Sequence, residues 1–190
     1  MFIQTENTPN PNAIKFFPGL QVSPEQPIFF SELPEVKGKS KLAELLFGII
    51  NVKSVFFGSD FITITKHDEG NWQTLKPEIL MVIMDHFIAG FPVFDDSSVP
   101  VDIADKYNTE NLSEIEKQII EIIETRVRPS VAMDGGDIVY KGFENGIVKL
   151  ELHGSCAGCP SSSITLKNGI ESMLKHFVPE VEAVEAVDEE

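Results

Sequence analysis

Hydrophobic and polar positions along the chain form two blocks of mixed strand and helix pattern, separated by a polar stretch. In the first block, three segments rich in β-branched and aromatic residues predict strands, the last two of them a hairpin: 13–17, 52–57 and 61–65. Two segments with apolar residues at helical spacing predict helices: 40–47 and 72–89. The turn-forming run 8–12 precedes the first strand.

The second block repeats this mixture in another order. Ser113 and Glu116 form a capping-box pattern at the start of a helix that we expect to end before Pro129. Five isoleucines give this helix an apolar face: Ile115, Ile119, Ile120, Ile122 and Ile123. A hairpin across an Asn-Gly turn, a second helix and a last alternating strand are predicted to follow: 138–143, 147–153, 160–177 and 181–187.

The polar stretch between the blocks, residues 95–111, has the composition of a linker. We therefore predict an N-terminal domain at 1–94 and a C-terminal domain at 112–190. The predicted fold class is α+β, with two small sandwich-like domains in which a small sheet packs against helices.

The charge of the chain disfavours one class of partner and favours others. The formal net charge is −15, and residues 95–190 hold 20 acidic against 8 basic side chains. Such a surface repels a phosphate backbone, so the sequence argues against nucleic-acid binding. Proteins with basic patches and metal cations are the partners that this charge favours.

Membrane and secretory classes are also disfavoured. No apolar run approaches the roughly 20 residues needed to span a bilayer. The first residues lack a signal-peptide pattern, and two close cysteines do not make a disulfide framework. We expect a reducing compartment, the bacterial cytoplasm, with the mitochondrial matrix as the alternative for a processed form.

The candidate chemistry lies in the two cysteines of the chain, Cys156 and Cys159. They are three residues apart, between a predicted strand and a predicted helix. This spacing can place two sulfurs on one metal ion or close a small disulfide. Pro160 suits the first helical turn, whose N–H groups and positive dipole end stabilise nearby thiolates.

Three uses of this pair remain open from the residues alone. An iron–sulfur cluster or a structural zinc takes four protein ligands, so two chains would have to contribute. Zinc could recruit His153, although we expect this histidine to lie at the surface or to support the ligands. A redox disulfide is the remaining use. The motif has no adjacent tryptophan and the block has no obvious βαβ pattern, and both features argue against it.

We interpret the other candidate groups as parts of the fold rather than of a site. Asp134 and Asp137 flank two glycines and offer too few oxygens for calcium, so we expect the glycines to turn the chain and the acids to cap or solvate that turn. Six aromatic residues of the first block are predicted to pack in its core and across strands: Phe16, Phe17, Phe56, Phe57, Phe61 and Trp72. The sequence offers no nucleophile–base pair, so no catalytic residue is assigned and the chain is not expected to be an enzyme.

The motifs carry a family resemblance across nearly the whole chain. Residues 113–187 resemble the NifU-like C-terminal domain of Nfu iron–sulfur scaffold and carrier proteins, through Arg128-Pro129, Met133-Asp-Gly-Gly-Asp137 and the long motif from Gly154 to Gly169. Residues 1–90 resemble the domain that precedes it in mitochondrial and α-proteobacterial members, through the motifs that begin at Thr8, Gly58 and Trp72.

This resemblance implies a function that composition and spacing do not give. It implies a scaffold or carrier that binds a [4Fe-4S] cluster between the C-x-x-C motifs of two subunits, with Cys156 and Cys159 as the ligands in each. The loaded form would be a homodimer. An upstream assembly scaffold would donate the cluster, and apo iron–sulfur proteins would receive it. The alternative from the residues is a dithiol–disulfide oxidoreductase that uses the same two thiols.

Overall fold

The computed structural model describes residues 2–23, 27–94, 112–157 and 160–187, without the side chains of 160–165. The chain divides into two compact units, residues 1–100 and 101–190. The predicted linker, 95–111, lies outside the described residues. Each unit combines a sheet with helices, so the α+β class is confirmed.

The first unit contains a five-stranded antiparallel sheet. Its strands lie in the order β1-β2-β5-β4-β3. They are β1 (Gln4–Asn7), β2 (Ala13–Phe17), β3 (Ile28–Phe30), β4 (Val52–Phe57) and β5 (Ile62–Lys66). The predicted strand at 13–17 and the predicted hairpin are confirmed, and the two edge strands β1 and β3 are additional.

Three helices accompany this sheet: α1 (Leu33–Val36), α2 (Lys41–Phe47) and α3 (Trp72–Ile88). Ser40 caps α2, because its side chain accepts a hydrogen bond from the Ala43 backbone N–H. Asn71 caps α3 in the same way through the Gln73 N–H. Both predicted helices are therefore confirmed, and their starts follow from the local sequence.

Aromatic side chains fill much of the first unit, as predicted. Phe16 and Phe57 are fully buried in its core, and Phe57 meets the rings of Phe30 and Phe94 edge-on at 6.1 and 5.3 Å. The turn before β2 is tied to the rest of the unit. The indole of Trp72 donates to Pro11 O at 3.0 Å.

The second unit begins with a helical segment that is longer than predicted. Helix α4 (Glu114–Ile122) starts at the predicted capping box of Ser113 and Glu116. A π-helical turn (Ile123–Val127) and helix α5 (Arg128–Met133) follow without a break. The prediction that the helix ends before Pro129 is wrong: the wide turn, in which Arg128 donates its N–H to Ile123 O, places the proline in a new first turn, where its missing N–H costs little.

The sheet of the second unit has three strands in the order β6-β7-β8. Strands β6 (Gly136–Glu144) and β7 (Ile147–Gly154) form the predicted hairpin, whose turn residues Asn145 and Gly146 both have positive φ, as a type I′ turn requires. Helix α6 (Pro160–Phe177) leads to β8 (Ala183–Ala186).

Strand β8 pairs with β7 in parallel. Strand β7, helix α6 and strand β8 therefore form a βαβ unit, so the expectation that this pattern is absent is wrong. Strand direction depends on tertiary pairing, which a short alternating segment does not reveal. Within the described ranges, no helix has the length and apolar character that a membrane crossing requires.

Candidate functional site

Cys156 lies where β7 leads into α6, at the carboxyl end of a strand in the βαβ unit. Residues 155–157 form a turn directly after β7, and the Cys156 side chain is buried, with 4% of the residue exposed. Cys159 lies outside the described residues, as do the side chains of the serines at 161–163. The strand-to-helix placement of Cys156 is the predicted one, but its burial was not predicted.

The turn at 134–135 lies beside the turn at 155–157, which we call the cysteine turn. Gly136 and Gly154 are the terminal partners of the β6–β7 ladder, which brings the start of one strand to the end of the other. Ser155 joins the two turns twice: its backbone N–H donates to Gly135 O at 3.2 Å, and its hydroxyl donates to Asp134 O at 2.5 Å. Because Ser155 is 2% exposed, these bonds are shielded from water and fix the residue that precedes Cys156.

Gly136 makes room for the Cys156 sulfur. A Cβ atom at this position would lie 2.7 Å from Cys156 Sγ and 2.7 Å from His153 O, which is too close for either atom to stay in place. The Ser155 hydroxyl is 3.9 Å from the same sulfur. The thiol thus sits between the first residue of β6 and its own turn.

A buried ion pair fixes the start of β6. Arg128 donates from Nε and Nη2 to the two carboxylate oxygens of Asp137, both at 2.7 Å, and from Nη1 to Glu124 Oε2 at 2.6 Å. Burial lowers the pKa of Arg128, but the two carboxylates outweigh this effect and raise it. The prediction that Asp137 caps or solvates the turn is wrong: its side chain is 4% exposed and bonds to α5.

A second charged group lies along the same strands. His153 Nε2 is 2.9 Å from Glu151 Oε1, and Lys141 forms an ion pair with Glu151 Oε2. Burial opposes ionisation of Glu151, yet Lys141 and His153 outweigh it and lower the pKa of this carboxyl. Of the two positions expected for His153, at the surface or in support of the ligands, the structure shows a side chain that is only 15% exposed and lies against Glu151.

The described residues of one chain do not complete a metal site. Across these ranges, no group of three or more His, Cys, Asp or Glu side chains is placed to hold a metal ion. Cys156 is therefore the described residue with the chemistry of a soft-metal ligand at this junction. Any site that it forms needs ligands from elsewhere.

Sequence reasoning missed three contributors to the site. The Gly-Gly pair indicated a turn, but nothing in it showed that Gly136 borders a sulfur. Ser155 was part of the cysteine motif without a role, and the nine-residue separation of Arg128 and Asp137 matches no helical or strand period. An arginine before a Gly-Gly turn and an aspartate directly after it are the signal that could have suggested the ion pair.

Two family models match this chain. One, described as the scaffold protein Nfu/NifU N-terminal domain, matches residues 3–90. The other, described as the NifU-like domain, matches residues 119–185. The second match contains the cysteine turn together with Arg128, Gly136 and Asp137.

Whole-chain relatives agree with these matches. The protein named NFU1 iron-sulfur cluster scaffold homolog, mitochondrial, from Homo sapiens is 50% identical over 188 residues, which cover 98% of this chain and 72% of that protein. The protein of the same name from Drosophila virilis is 48% identical over 187 residues, which cover 98% of this chain and 62% of that protein. The chain thus spans about two thirds of the length of these relatives.

The solved structures that match this chain include one that covers half of it. It is the solution NMR structure of a NifU-like protein from Saccharomyces cerevisiae, which is 32% identical and has a TM-score of 0.46. The match covers 50% of this chain and 86% of that one.

Proposed function

We propose that this chain, which belongs to the Nfu family of iron–sulfur cluster scaffold proteins, binds a cluster through Cys156 and Cys159 and passes it to apo iron–sulfur proteins. The cluster is [4Fe-4S], shared between the cysteine pairs of two copies of the chain. It is cargo, and the protein acts on it as a scaffold rather than as an enzyme.

The placement of Cys156 carries this proposal. It lies at a strand-to-helix junction inside the region that matches the NifU-like domain, and the chain has two cysteines in total. A cubane cluster usually takes four thiolate ligands. A second copy of the chain supplies the missing two, in a two-fold arrangement in which each copy contributes the same pair.

Sharing the cluster between copies suits delivery. Separation of the two chains removes half of the ligands at once, which makes the cluster easier to release than one enclosed by a single chain. Transfer is then ligand exchange: cysteine thiolates of the recipient replace Cys156 and Cys159 on iron, and the released thiolates take up protons. The oxidation state of the cluster does not change in this step.

A dithiol–disulfide oxidoreductase is the second candidate, and one observation favours it. The cysteine turn connects a strand to a helix within a βαβ unit, which is the setting of thioredoxin-like motifs. Both candidates start from a buried Cys156 thiol, so burial does not separate them. Membership in a scaffold family favours the cluster.

The names of the relatives also bear on the compartment that we propose for this chain. The human and Drosophila relatives are named as mitochondrial, which favours the mitochondrial matrix over the bacterial cytoplasm among the two compartments expected for this chain. In either compartment, an upstream assembly scaffold donates the cluster, and the loaded form is a homodimer.

Anaerobic reconstitution tests the proposal. The full chain is incubated with iron and sulfide, and bound iron, bound sulfide and Mössbauer spectra are measured beside Cys156→Ala and Cys159→Ala. We expect cubane spectra with about two iron and two sulfide per chain, as one cubane per two chains requires, and loss of both in each variant. A chain that binds no cluster but forms a reversible disulfide between its two cysteines would favour the oxidoreductase.

A further inference from the structure

The Cys156 thiol is part of the hydrophobic core of the second unit. The residue is 4% exposed and packs in the same cluster as Ile138 and Val131, which are 0% and 1% exposed. A sulfur that binds a cluster shared with a second chain must reach the surface of its own chain. The structure therefore shows the thiol in a position from which it cannot serve such a cluster.

Gly136 provides the space that the thiol occupies. A Cβ at this residue would approach Cys156 Sγ to 2.7 Å and Cys156 Cβ to 3.2 Å, so the cysteine side chain fills the volume that any other residue would need. Interiors are packed densely, so a Cβ at this residue would have to displace the sulfur. The absence of a side chain at Gly136 is thus the condition for the inward position of the thiol.

The backbone just before the thiol combines a fixed residue, Ser155, with a glycine in the left-handed region, Gly154. Ser155 bonds to Asp134 O and Gly135 O, which fixes the cysteine turn against the start of β6. Gly154, the residue before Ser155, has a φ of +64°, a conformation that glycine adopts at little cost. Movement of Cys156 away from Gly136 would require loss of these Ser155 bonds.

We propose that Gly136 is a positioning residue: the space at its missing side chain stores the Cys156 thiol inside the second unit, and cluster loading begins when the thiol leaves this space. The inference rests on the proposed function, because the need for an outward sulfur comes from the shared cluster. The stored position itself is a property of the chain without cargo, so it is measurable apart from cluster binding.

Alkylation of the thiol by N-ethylmaleimide tests the stored position. The full chain with Cys159→Ser leaves Cys156 as its one thiol, and the rate is compared between the folded chain and the same chain unfolded in urea. We expect the folded chain to react at least about tenfold more slowly, because reaction requires local opening. Rates that agree within about twofold would overturn the inference.

Gly136→Ala in this Cys159→Ser chain tests the role of the glycine, with Gly142→Ala as the matched control. A Cβ at Gly142, in the same strand, meets no atom within 4 Å. We expect Gly136→Ala to raise the alkylation rate of the folded chain by about fivefold or more and Gly142→Ala to leave it unchanged. Equal rates in the two variants would overturn the role of Gly136.

Two controls distinguish this result from misfolding of the variant and from failure of the proposed function. Far-UV circular dichroism establishes that each variant is folded before rates are compared, since the alanine also meets His153 O. If Gly136→Ala does not fold, the comparison of folded and unfolded Cys159→Ser chains still decides whether the Cys156 thiol is stored inside the unit. A protected thiol in a chain that binds no cluster would contradict the proposed function and leave the stored position intact.

Discussion

The two units of the chain use the same parts, a sheet and helices, but they bury different side chains. Among the described residues, the buried polar positions of the first unit carry hydroxyl, amide, lysine or imidazole groups. The buried carboxylates, Asp137 and Glu151, lie in the second unit. A buried carboxylate is costly unless it is paired.

The position of these carboxylates explains why the second unit contains them. Asp137 directly follows Gly136 and bonds to Arg128, while Glu151 holds His153, three residues before Cys156. Each pair therefore fixes a strand end that borders the cysteine turn. The first unit depends on apolar packing, and the second uses charge to position a site.

The largest expected effect comes from the apolar core of the first unit. Phe57→Ala should destabilise that unit by about 3–5 kcal/mol, because it removes a fully buried ring and leaves a cavity. Urea unfolding followed by the fluorescence of Trp72, the single tryptophan, reports on this unit. The control Phe2→Ala, at a position 81% exposed, should change stability by less than about 0.5 kcal/mol.

Hydrogen exchange of the β7 amides should not change in Phe57→Ala. An equal loss of protection in the second unit would contradict the separation of the two cores.

A somewhat smaller loss of stability is expected when the buried ion pair of the second unit is broken. Arg128→Met should destabilise this unit by about 3 kcal/mol, because it leaves the Asp137 carboxylate buried without its bidentate partner. The measurement is hydrogen exchange of the β6 and β7 amides. Lys175→Met, which removes a more exposed pair with Glu171, is the control and should leave the protection of these amides unchanged.

An Arg128→Met chain as stable as the control would contradict the structural role of the ion pair. Loss of Trp72 signal at lower urea in this variant would contradict its confinement to the second unit.

Sequence patterns predicted the elements whose signals are local. The helix starts at Ser40 and Ser113 and the Asn145-Gly146 turn follow from side chains that satisfy neighbouring backbone groups or tolerate positive φ. Strand β1 was missed because it is a polar edge strand, and β3 because it has three residues. Pro129 misled the prediction, since the π turn before it depends on the fold.

The candidate site was predictable in identity but not in geometry. The spacing of Cys156 and Cys159 and the resemblance of their motif identified the ligands that we propose. The burial of Cys156 and its contact with Gly136 depend on the pairing of β6 with β7, which sets residues 18 positions apart side by side at Gly136 and Gly154. Such contacts leave no periodic signal in a single sequence.

The N-cap of α4 offers a smaller test of the second unit. Ser113→Ala should cost about 1 kcal/mol, because the Glu116 N–H loses its side-chain acceptor at the helix start. Ser113→Asp keeps an acceptor and should retain most of this stability. Hydrogen exchange of the α4 amides checks both variants, and equal protection in the two would contradict the capping role.

The smallest expected effect is a difference in the pH at which acid begins to destabilise each unit. The loss of stability should begin at higher pH in the first unit. Burial lowers the pKa of His86 below its ordinary value of 6.5, although bonds to Pro92 and Phe91 oppose the shift. The unfolded chain then binds more protons, so this stability is present above about pH 6.5 and is lost as pH falls. Urea unfolding followed by Trp72 should show the loss, and His86→Gln should remove it.

In the second unit, the loss should begin at lower pH. A backbone bond from Ser113 lowers the pKa of Glu116, and Lys141 and His153 lower that of Glu151 against its burial, both from 4.5. These carboxylates therefore contribute stability above about pH 4.5 that is lost as pH falls further. A first unit that stays unchanged down to about pH 4.5 would contradict the contribution of His86.

The proposed function requires two copies of this chain to share one cluster through their cysteine pairs. Native mass spectrometry of the reconstituted full chain, kept free of oxygen, measures it directly. We expect a species with two chains and the mass of one [4Fe-4S] cluster, absent from Cys156→Ala. A single chain that carries a whole cluster, or a loaded dimer that persists in Cys156→Ala, would contradict it.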